Sequence, residues 1–430
     1  MNAQSNAQSN AQSTPAPVIV IGAGIIGACV AAYLQRDGHA VTLIDHDEPG
    51  AGASSGNGGM LSGSSIVPVS MPGVAMKVPG WLMDAEGPLT IRWSYLPALA
   101  PWLWRFLRSA KTEKVEQQAR ALRALLAPAL ENYAPIVAAA GAQHLLRQQG
   151  TLYLYGSEQS WRNDARSTEL RRRNGVLVEE VTGAALRDLE PDLAPAFTHA
   201  RLVRANGHTT DPRALVQALI AEAVSRGARV LRQRVTGFEH NGANLNAVLT
   251  DGGRHAASRV VLACGAFSRP LAVQLGDAVP LDTERGYHVI VSAPEKGPRT
   301  PTLFVDGNFG STPMDSGLRF TGTVELAGLD APPNWRRADV LLRGGRRLYP
   351  GLLAEDDAER VTRWMGFRPS MPDSLPVIGP SSRFANAYYA FGHGHVGMCA
   401  GSTTGRVIAD LVAGREPCVP LDAFSAARFK

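Results

Sequence analysis

The stretch VIVIGAGIIGACVAAYLQRDGHAVTLID, Val18–Asp45, reads as a strand, a glycine turn, a helix and a second strand that ends in an acid. This is a nearly complete dinucleotide-binding unit. Gly22 takes the tight turn, Gly24 lets the backbone approach a pyrophosphate, and Gly27 lets the helix lie close on the sheet while its N-terminus faces the phosphates. Asp45 follows Gly27 by 18 residues and closes the next apolar run. There its carboxylate can accept hydrogen bonds from an adenosine ribose and would repel a 2′-phosphate, which disfavours a 2′-phosphorylated cofactor. An ordinary βαβ packing unit needs less than this; the strand before, the helix after and the acid beyond favour the dinucleotide.

The chain has 430 residues, 45% hydrophobic and 19% charged, which is enough for two domains with sizeable cores and fits neither a fibrous nor a disordered protein. Its formal charge of +5 is spread along the chain in short clusters such as Arg171-Arg172-Arg173, which reads as a solvated helix face. No nucleic-acid motif accompanies it. Cys29, Cys264, Cys399 and Cys418 are far apart and have no metal-ligand spacing, the pattern of reduced thiols in a cytoplasmic protein. Residues 1–14, with NAQS three times over, are expected to be a disordered tail. No apolar run is long enough to span a bilayer.

After Asp45 comes GAGASSGNGGMLSGSS, residues 50–65, too rich in Gly and Ser for a helix or strand. Its place at the carboxyl edge of the sheet favours a ligand-covering loop over a plain linker. Residues 93–110, WSYLPALAPWLWRFLRSA, gather three of the seven tryptophans with prolines and basic residues. They read as a helix packed under a cap or as an interfacial membrane anchor, with packing preferred. One long amphipathic helix is expected over 111–140, a strand over 149–156, and a helix entered through His208 and capped by Asp211. A strand over 229–235, a hairpin turning at Asp251-Gly252 and the strand Arg259–Ala263 then return the chain to the first sheet. Short strands follow from Leu281 to Val324, and the chain comes home again at Ala387–Phe391.

GAGIIG with its distal acid, SSGNGGM at 54–60, ACGAFS at 263–268, GFRPSMPDSLPVIG at 366–379 and GHGHVGM at 392–398 occur in one order. In that order they resemble the D-amino-acid oxidase and dehydrogenase superfamily, and most of all its bacterial FAD-dependent D-amino-acid dehydrogenases, including those acting on D-proline and hydroxyproline-type imino acids. The resemblance covers everything after residue 15. It implies an α/β chain (α+β overall), with a Rossmann-like FAD-binding domain over 15–92, 205–275 and 358–430. An inserted antiparallel-sheet substrate domain is implied over 93–204 and 276–357.

It also implies roles by position. Gly22, Ala23, Gly24, Ile25 and Ile26 match the pyrophosphate turn, and Asp45 with His46 the ribose edge. Ser54, Ser55, Asn57, Gly58, Gly59 and Met60 match the loop along the phosphates and flavin ring, and Val235 the strand that meets the adenine. Ala263, Cys264 and Gly265 match the strand end beside the cofactor, where many relatives have Ala-Thr-Gly. Gly394, His395, Val396, Gly397 and Met398 match the segment beneath the flavin's pyrimidine edge, and Arg368 the arginine for the substrate carboxylate. The cysteine that bonds flavin in the sarcosine-oxidase branch is missing from Pro369–Gly379, so noncovalent FAD is implied.

Oxidising an α-amino acid moves a hydride from Cα to flavin N5, so the protein must fix the carboxylate, keep the amine neutral and stabilise charge at flavin N1 and O2. Arg368 offers a bidentate guanidinium, and the Gly392–Gly397 turn offers N–H groups at a helix start. Adjacent strand residues face opposite ways, so Tyr287 and His288 cannot both meet substrate; Tyr287 is preferred, with a core tyrosine the alternative. His395 is the candidate histidine, with a structural role as its alternative. There is no Ser-His-Asp set, metal triad or Walker lysine. The implied reaction is oxidative deamination of D-amino or cyclic imino acids, with electrons passing to a quinone or other carrier. A glycine- or sarcosine-type oxidase using oxygen and a non-catalytic dinucleotide-binding protein are the alternatives. A cytoplasmic location is expected, with peripheral contact at the inner face of the membrane left open.

Overall fold

Every residue of the first strand, VIVI, is buried, and this strand is the centre of a six-stranded sheet. The computed structural model describes residues 16–430 apart from 85, 355 and 356; the expected tail over 1–14 lies outside the described residues. β1 (Val18–Ile21) lies between β2 (Val41–Asp45) and β14 (Arg259–Leu262). β10 (Arg229–Arg232) is outside β2, and β21 (Ala387–Phe391) and β20 (Val377–Pro380) are outside β14. All neighbours are parallel except β20 and β21. Such a sheet must be covered on both faces, hence the unbroken apolar run of its central strand β1. Helix α1 (Ile25–Arg36) packs on one face with helices Pro212–Ser225 and Gly397–Val412. The other face meets a three-stranded meander, β11 (Val235–Asn241), β12 (Asn244–Thr250) and β13 (Gly253–Ala256).

Two glycines set the turn between β1 and α1. Gly22 has φ +109°, and a Cβ there would lie 2.4 Å from the Ala263 carbonyl oxygen; one on Gly27 would lie 1.8 Å from the Gly22 oxygen. Asp211 caps the Pro212–Ser225 helix as expected, its Oδ1 accepting the Arg213 and Ala214 N–H groups.

The second body of the molecule is a nine-stranded sheet. Its order is β19 (Val361–Ser370), β15 (Asp282–Val291), β18 (Gly317–Leu326), β17 (Phe309–Met314), β16 (Thr302–Phe304), β6 (Thr151–Tyr155), β8 (His199–Val203) and β7 (Glu179–Thr182). β4 (Leu89–Ile91) adds on to β18. The helix Arg336–Leu348 covers one face through Ala338, Leu341 and Leu348. A small sheet of β3 (Met60–Leu61), β9 (Gly207–Thr209) and β5 (Leu146–Arg147) joins the two bodies.

Several expectations change here. The large sheet is mixed, because β16 pairs parallel with β6 and β18 with β4. β19 belongs to it, so the segment that contains Arg368 sits in the substrate sheet, and the change of domain falls after Ser370 and not at 358. The helix expected over 111–140 is two, α4 (Thr112–Leu126) and α5 (Ala129–Ala139), separated at Pro128, which lacks the N–H that a continuing helix needs. Both pack on the dinucleotide side, where Leu122, Leu125, Tyr133 and Ile136 join the core of α1. The strand expected over 229–235 breaks between Arg232 and Val235. His208 is a β9 residue, not part of a helix entry.

Gly27→Val tests the turn. The side chain has no room against the Gly22 carbonyl, so denaturant unfolding should show a loss of about 1–3 kcal/mol or more, or no folded protein; wild-type stability would contradict the packing described.

Candidate active site

β15 and β19 pair in register: Glu284 is opposite Arg368, Gly286 opposite Gly366, and His288 opposite Trp364. Strand alternation turns these six to one face. Five of them line a cavity of about 460 Å³, and the sixth, His288, stacks on the Trp364 ring at 5.0 Å and 14°. The cavity's other walls include Gly56–Gly58 and Met60 of the glycine-rich loop, and Gly394–Val396 ahead of the last helix.

Arg368 crosses β15 at Gly286, where a Cβ would lie 2.2 Å from its guanidinium carbon. It donates to the Thr323 carbonyl at 2.9 Å and the Gly322 carbonyl at 3.2 Å. Those carbonyls sit where β18 bulges: its pairing with β15 jumps from Arg285↔Glu325 to Tyr287↔Gly322. Thr323 there has φ +50°, a costly conformation for a β-branched residue. A guanidinium has five N–H donors, so the two carbonyls leave capacity toward the cavity. Burial lowers the Arg368 pKa and Glu284 opposes the shift. Glu284 is itself engaged by Ser370, whose hydroxyl donates to its Oε1 at 2.6 Å.

Tyr287 does not reach the cavity with its hydroxyl. That group donates to Glu325 Oε2 at 2.5 Å and accepts the Asn334 N–H at 2.8 Å, within the core beneath the other face. Of the Tyr287–His288 pair, Tyr287 borders the cavity with its hydroxyl turned into the core, while His288 is stacked on Trp364 outside the lining. His288 Nδ1 sits 3.1 Å from the Gly56 carbonyl and so fastens the loop. His395 lines the cavity with much of its surface exposed; enclosure by the site walls, and then the charge of Arg368, lower its pKa. His393 is buried against Thr404 at 3.0 Å.

The glycine-rich loop is held from the substrate sheet by residues that the sequence alone did not single out. Arg319, buried in β18, donates to the carbonyls of Ser55 at 2.8 Å and Asn57 at 2.6 Å. Thr312 donates to the Gly58 carbonyl at 2.8 Å. The Trp364 ring lies so close to Gly56 that a Cβ there would be 2.0 Å away. Within the loop, Asn57 Oδ1 accepts the Gly59 N–H, and Gly59 takes φ +73° before Met60 begins β3. At the other end Ser54 Oγ accepts the Ile25 N–H at 2.9 Å, which ties the loop to the start of α1.

The dinucleotide turn follows its sequence. Asp45 Oδ2 accepts the Ala23 N–H at 2.7 Å, and Oδ1 lies 3.2 Å from His46 Nδ1. Gly24 caps α1 with no side-chain cap, no acid lies in the first turn, and Ile25 and Ile26 are buried there. The Gln233 N–H donates to the Asp45 carbonyl, two residues before Val235. Ala263 donates to the Ile21 carbonyl at 2.8 Å. Cys264 Sγ sits 3.3 Å from the same oxygen, and burial raises its pKa. Gly265 follows at φ +54°. The last helix starts at Gly397 and Met398 with Val396 as an uncapped N-terminus and no acid in its first turn. Thr321 and Thr323 line the cavity with hydroxyls that have no partner among the described residues. Two uncapped helix starts, a glycine-lined cradle and unpartnered hydroxyls fit an elongated anionic cofactor with a polar ring.

His208 and His288, both buried, are each pushed down to about 4, burial being the first cause. Below the ordinary value of 6.5 the unfolded chain takes up protons that the folded protein refuses, so their contribution to stability is full above about pH 6.5 and falls as pH drops toward 4. His288→Gln removes one such group. Its deficit in Tm against the wild type should shrink between about pH 7 and pH 5; a constant deficit would contradict a neutral buried His288.

Residues 17–411 match the family model described as FAD dependent oxidoreductase (DAO). The chain is 43% identical over 415 residues to a D-amino-acid oxidase from Bradyrhizobium diazoefficiens, covering 96% of this chain and 98% of that one. Among solved structures, it is similar to glycine oxidase from Geobacillus kaustophilus, with a TM-score of 0.71 and 24% identity over 96% of this chain and 98% of that one. It is also similar to L-proline dehydrogenase from P. horikoshii, with a TM-score of 0.74 and 18% identity over 96% and 97%. The last two likenesses concern the fold. With the match running from the first strand nearly to the end of the last helix, the chain belongs to the DAO family of FAD-dependent oxidoreductases.

Proposed function

We propose that this chain oxidises D-amino acids, or cyclic imino acids of the D-proline and hydroxyproline type, at the carbon that bears the nitrogen. The observation that carries the reading is Arg368, a guanidinium fixed over Gly286 beside the flavin loop with donors to spare. Bound FAD supplies a hydride acceptor at N5. Arg368 pairs with the substrate carboxylate in a fixed orientation that a lysine could not impose. Glu284, in the same cavity, accepts an N–H of the amino group, which enters neutral and leaves no proton to be removed in the hydride step. His395 lines the same cavity. Gly22, Ala23, Gly24 and the start of α1 would hold the pyrophosphate and Asp45 the ribose. The loop from Ser54 to Met60 and the turn from Gly394 to Met398 would hold the flavin ring, the latter presenting N–H groups to the N1 and O2 side. Cys399 also lines the cavity, with a buried thiol that burial pushes up to about 12.

The imine so formed hydrolyses to a 2-oxo acid, or stays cyclic when the substrate is a proline ring. Electrons leave to a quinone or other carrier in this reading. The name of the Bradyrhizobium relative supports a second one, in which oxygen is the acceptor.

Anaerobic mixing of the yellow protein with D-alanine or D-proline should bleach the flavin, with the L-enantiomers inert. Bleaching by no amino or imino acid would leave a non-catalytic dinucleotide-binding protein. Reoxidation rates with oxygen and with a soluble quinone then decide the acceptor. Arg368→Met should keep FAD bound while kcat/KM falls about tenfold to a hundredfold, mainly through KM; unchanged kinetics would remove Arg368 from the carboxylate role.

A further inference from the structure

Helices α2 (Val74–Met83) and α3 (Leu96–Ser109) lie on either side of β4 and present an outer surface unlike the rest of the molecule. α3 buries Leu99 and Trp102 against Ile91 and Leu326, with Leu96, Leu103 and Phe106 partly buried beside them. That apolar face is satisfied. The opposite face should be polar in a solvated helix. Instead every exposed residue of α3 is alanine, proline, tryptophan, leucine or arginine, and the described exposed residues of α2 are alanine, methionine, proline and glycine. Met76 is 82% exposed, Met83 83%, Trp93 69%, Trp104 57% and Leu107 48%. α4, next in the chain, shows the ordinary pattern, with Glu113, Lys114, Gln117 and Arg120 on its exposed side.

Charge identifies what covers this face. From residue 87 to 112 the chain has no acid, while Arg92, Arg105, Arg108 and Lys111 are all basic. The Arg108 guanidinium stacks on the exposed Trp104 ring at 4.5 Å. A second copy meeting this surface through a two-fold axis would offer Arg105 and Arg108 no acid from the same stretch, residues 87–112, to pair with. An anionic bilayer would neutralise them, take the methionine, leucine and tryptophan side chains into its acyl boundary, and leave the arginine heads at the phosphate level. No helix among the described residues is long and apolar enough to cross a membrane, so the contact is a surface one.

We propose that the outer faces of α2 and α3 form a docking surface for an anionic lipid bilayer. The surface adjoins the cavity, since Val67 and Val69 line it and the chain runs from Val69 straight into α2. Docking would therefore bring the cavity rim to the lipid headgroups. The proposal does not depend on which substrate the site takes.

Flotation of the full-length, FAD-loaded protein with vesicles tests it. The protein should float with phosphatidylcholine vesicles containing about 30% phosphatidylglycerol and not with phosphatidylcholine alone, and high salt should weaken the binding. Replacing Arg105 and Arg108 together by Gln should lower the partition coefficient about thirtyfold, given the usual attraction per basic residue at such a surface. Trp104→Ser should lower it independently, with the flavin spectrum and anaerobic bleaching unchanged in both variants. Failure of the wild type to bind the anionic vesicles, or undiminished binding by both variants, would overturn the proposal. So would a concentration-dependent dimer that Trp104→Ser abolishes, which would make the occupant a second copy.

Discussion

The pairing of β15 with β19 runs without a break from Asp282↔Ser370 to Val291↔Val361, and the placement of the site depends on it. In this register Glu284, Gly286 and His288 share a face with Arg368, Gly366 and Trp364. A slip of β19 by one residue would turn Phe367 toward the cavity and bury the arginine of the site in the core. The two empty positions matter as much as the side chains. Gly286 leaves room for the Arg368 guanidinium, and Gly366 for the Trp364 ring, which would be 1.9 Å from a Cβ there. The bulge in β18 completes the arrangement by aiming two carbonyls at Arg368, at the cost of a strained Thr323.

The same sheet also organises the glycine-rich loop. Arg319, Thr312, His288 and Trp364 reach across from the substrate side to hold a segment that begins at the dinucleotide turn. Such a loop has little conformational preference of its own, so its shape is borrowed from the sheet. Ser54 at the start of α1 and Arg319 under Ser55 and Asn57 link the two bodies through one short stretch of chain. Cofactor binding and carboxylate binding are therefore properties of one connected structure.

How much of this was legible in the sequence follows from the range of each interaction. The dinucleotide turn was readable because its requirements are local: Gly22 and Gly27 answer to atoms of the adjoining strands and turn, and Asp45 closes the neighbouring strand. Arg368 was found only through resemblance, since nothing in its immediate neighbours marks it. Alternation says that Tyr287 and His288 oppose each other, but not which face each takes; that is decided by a pairing with residues nearly 80 positions away. Arg319 and Thr312 contact the loop over more than 250 residues of sequence and left no local signal. Pro128, by contrast, was a visible helix break that the pattern of apolar residues overrode.

The central claim is that Arg368, held by the β18 bulge, fixes a carboxylate next to the flavin. A redox-inert carboxylate such as benzoate tests it without turnover. Titrated into the FAD-loaded protein, it should perturb the visible flavin spectrum in a saturable way, and Arg368→Leu, with flavin still bound, should abolish the change. Equal benzoate affinity in the two proteins would contradict the account.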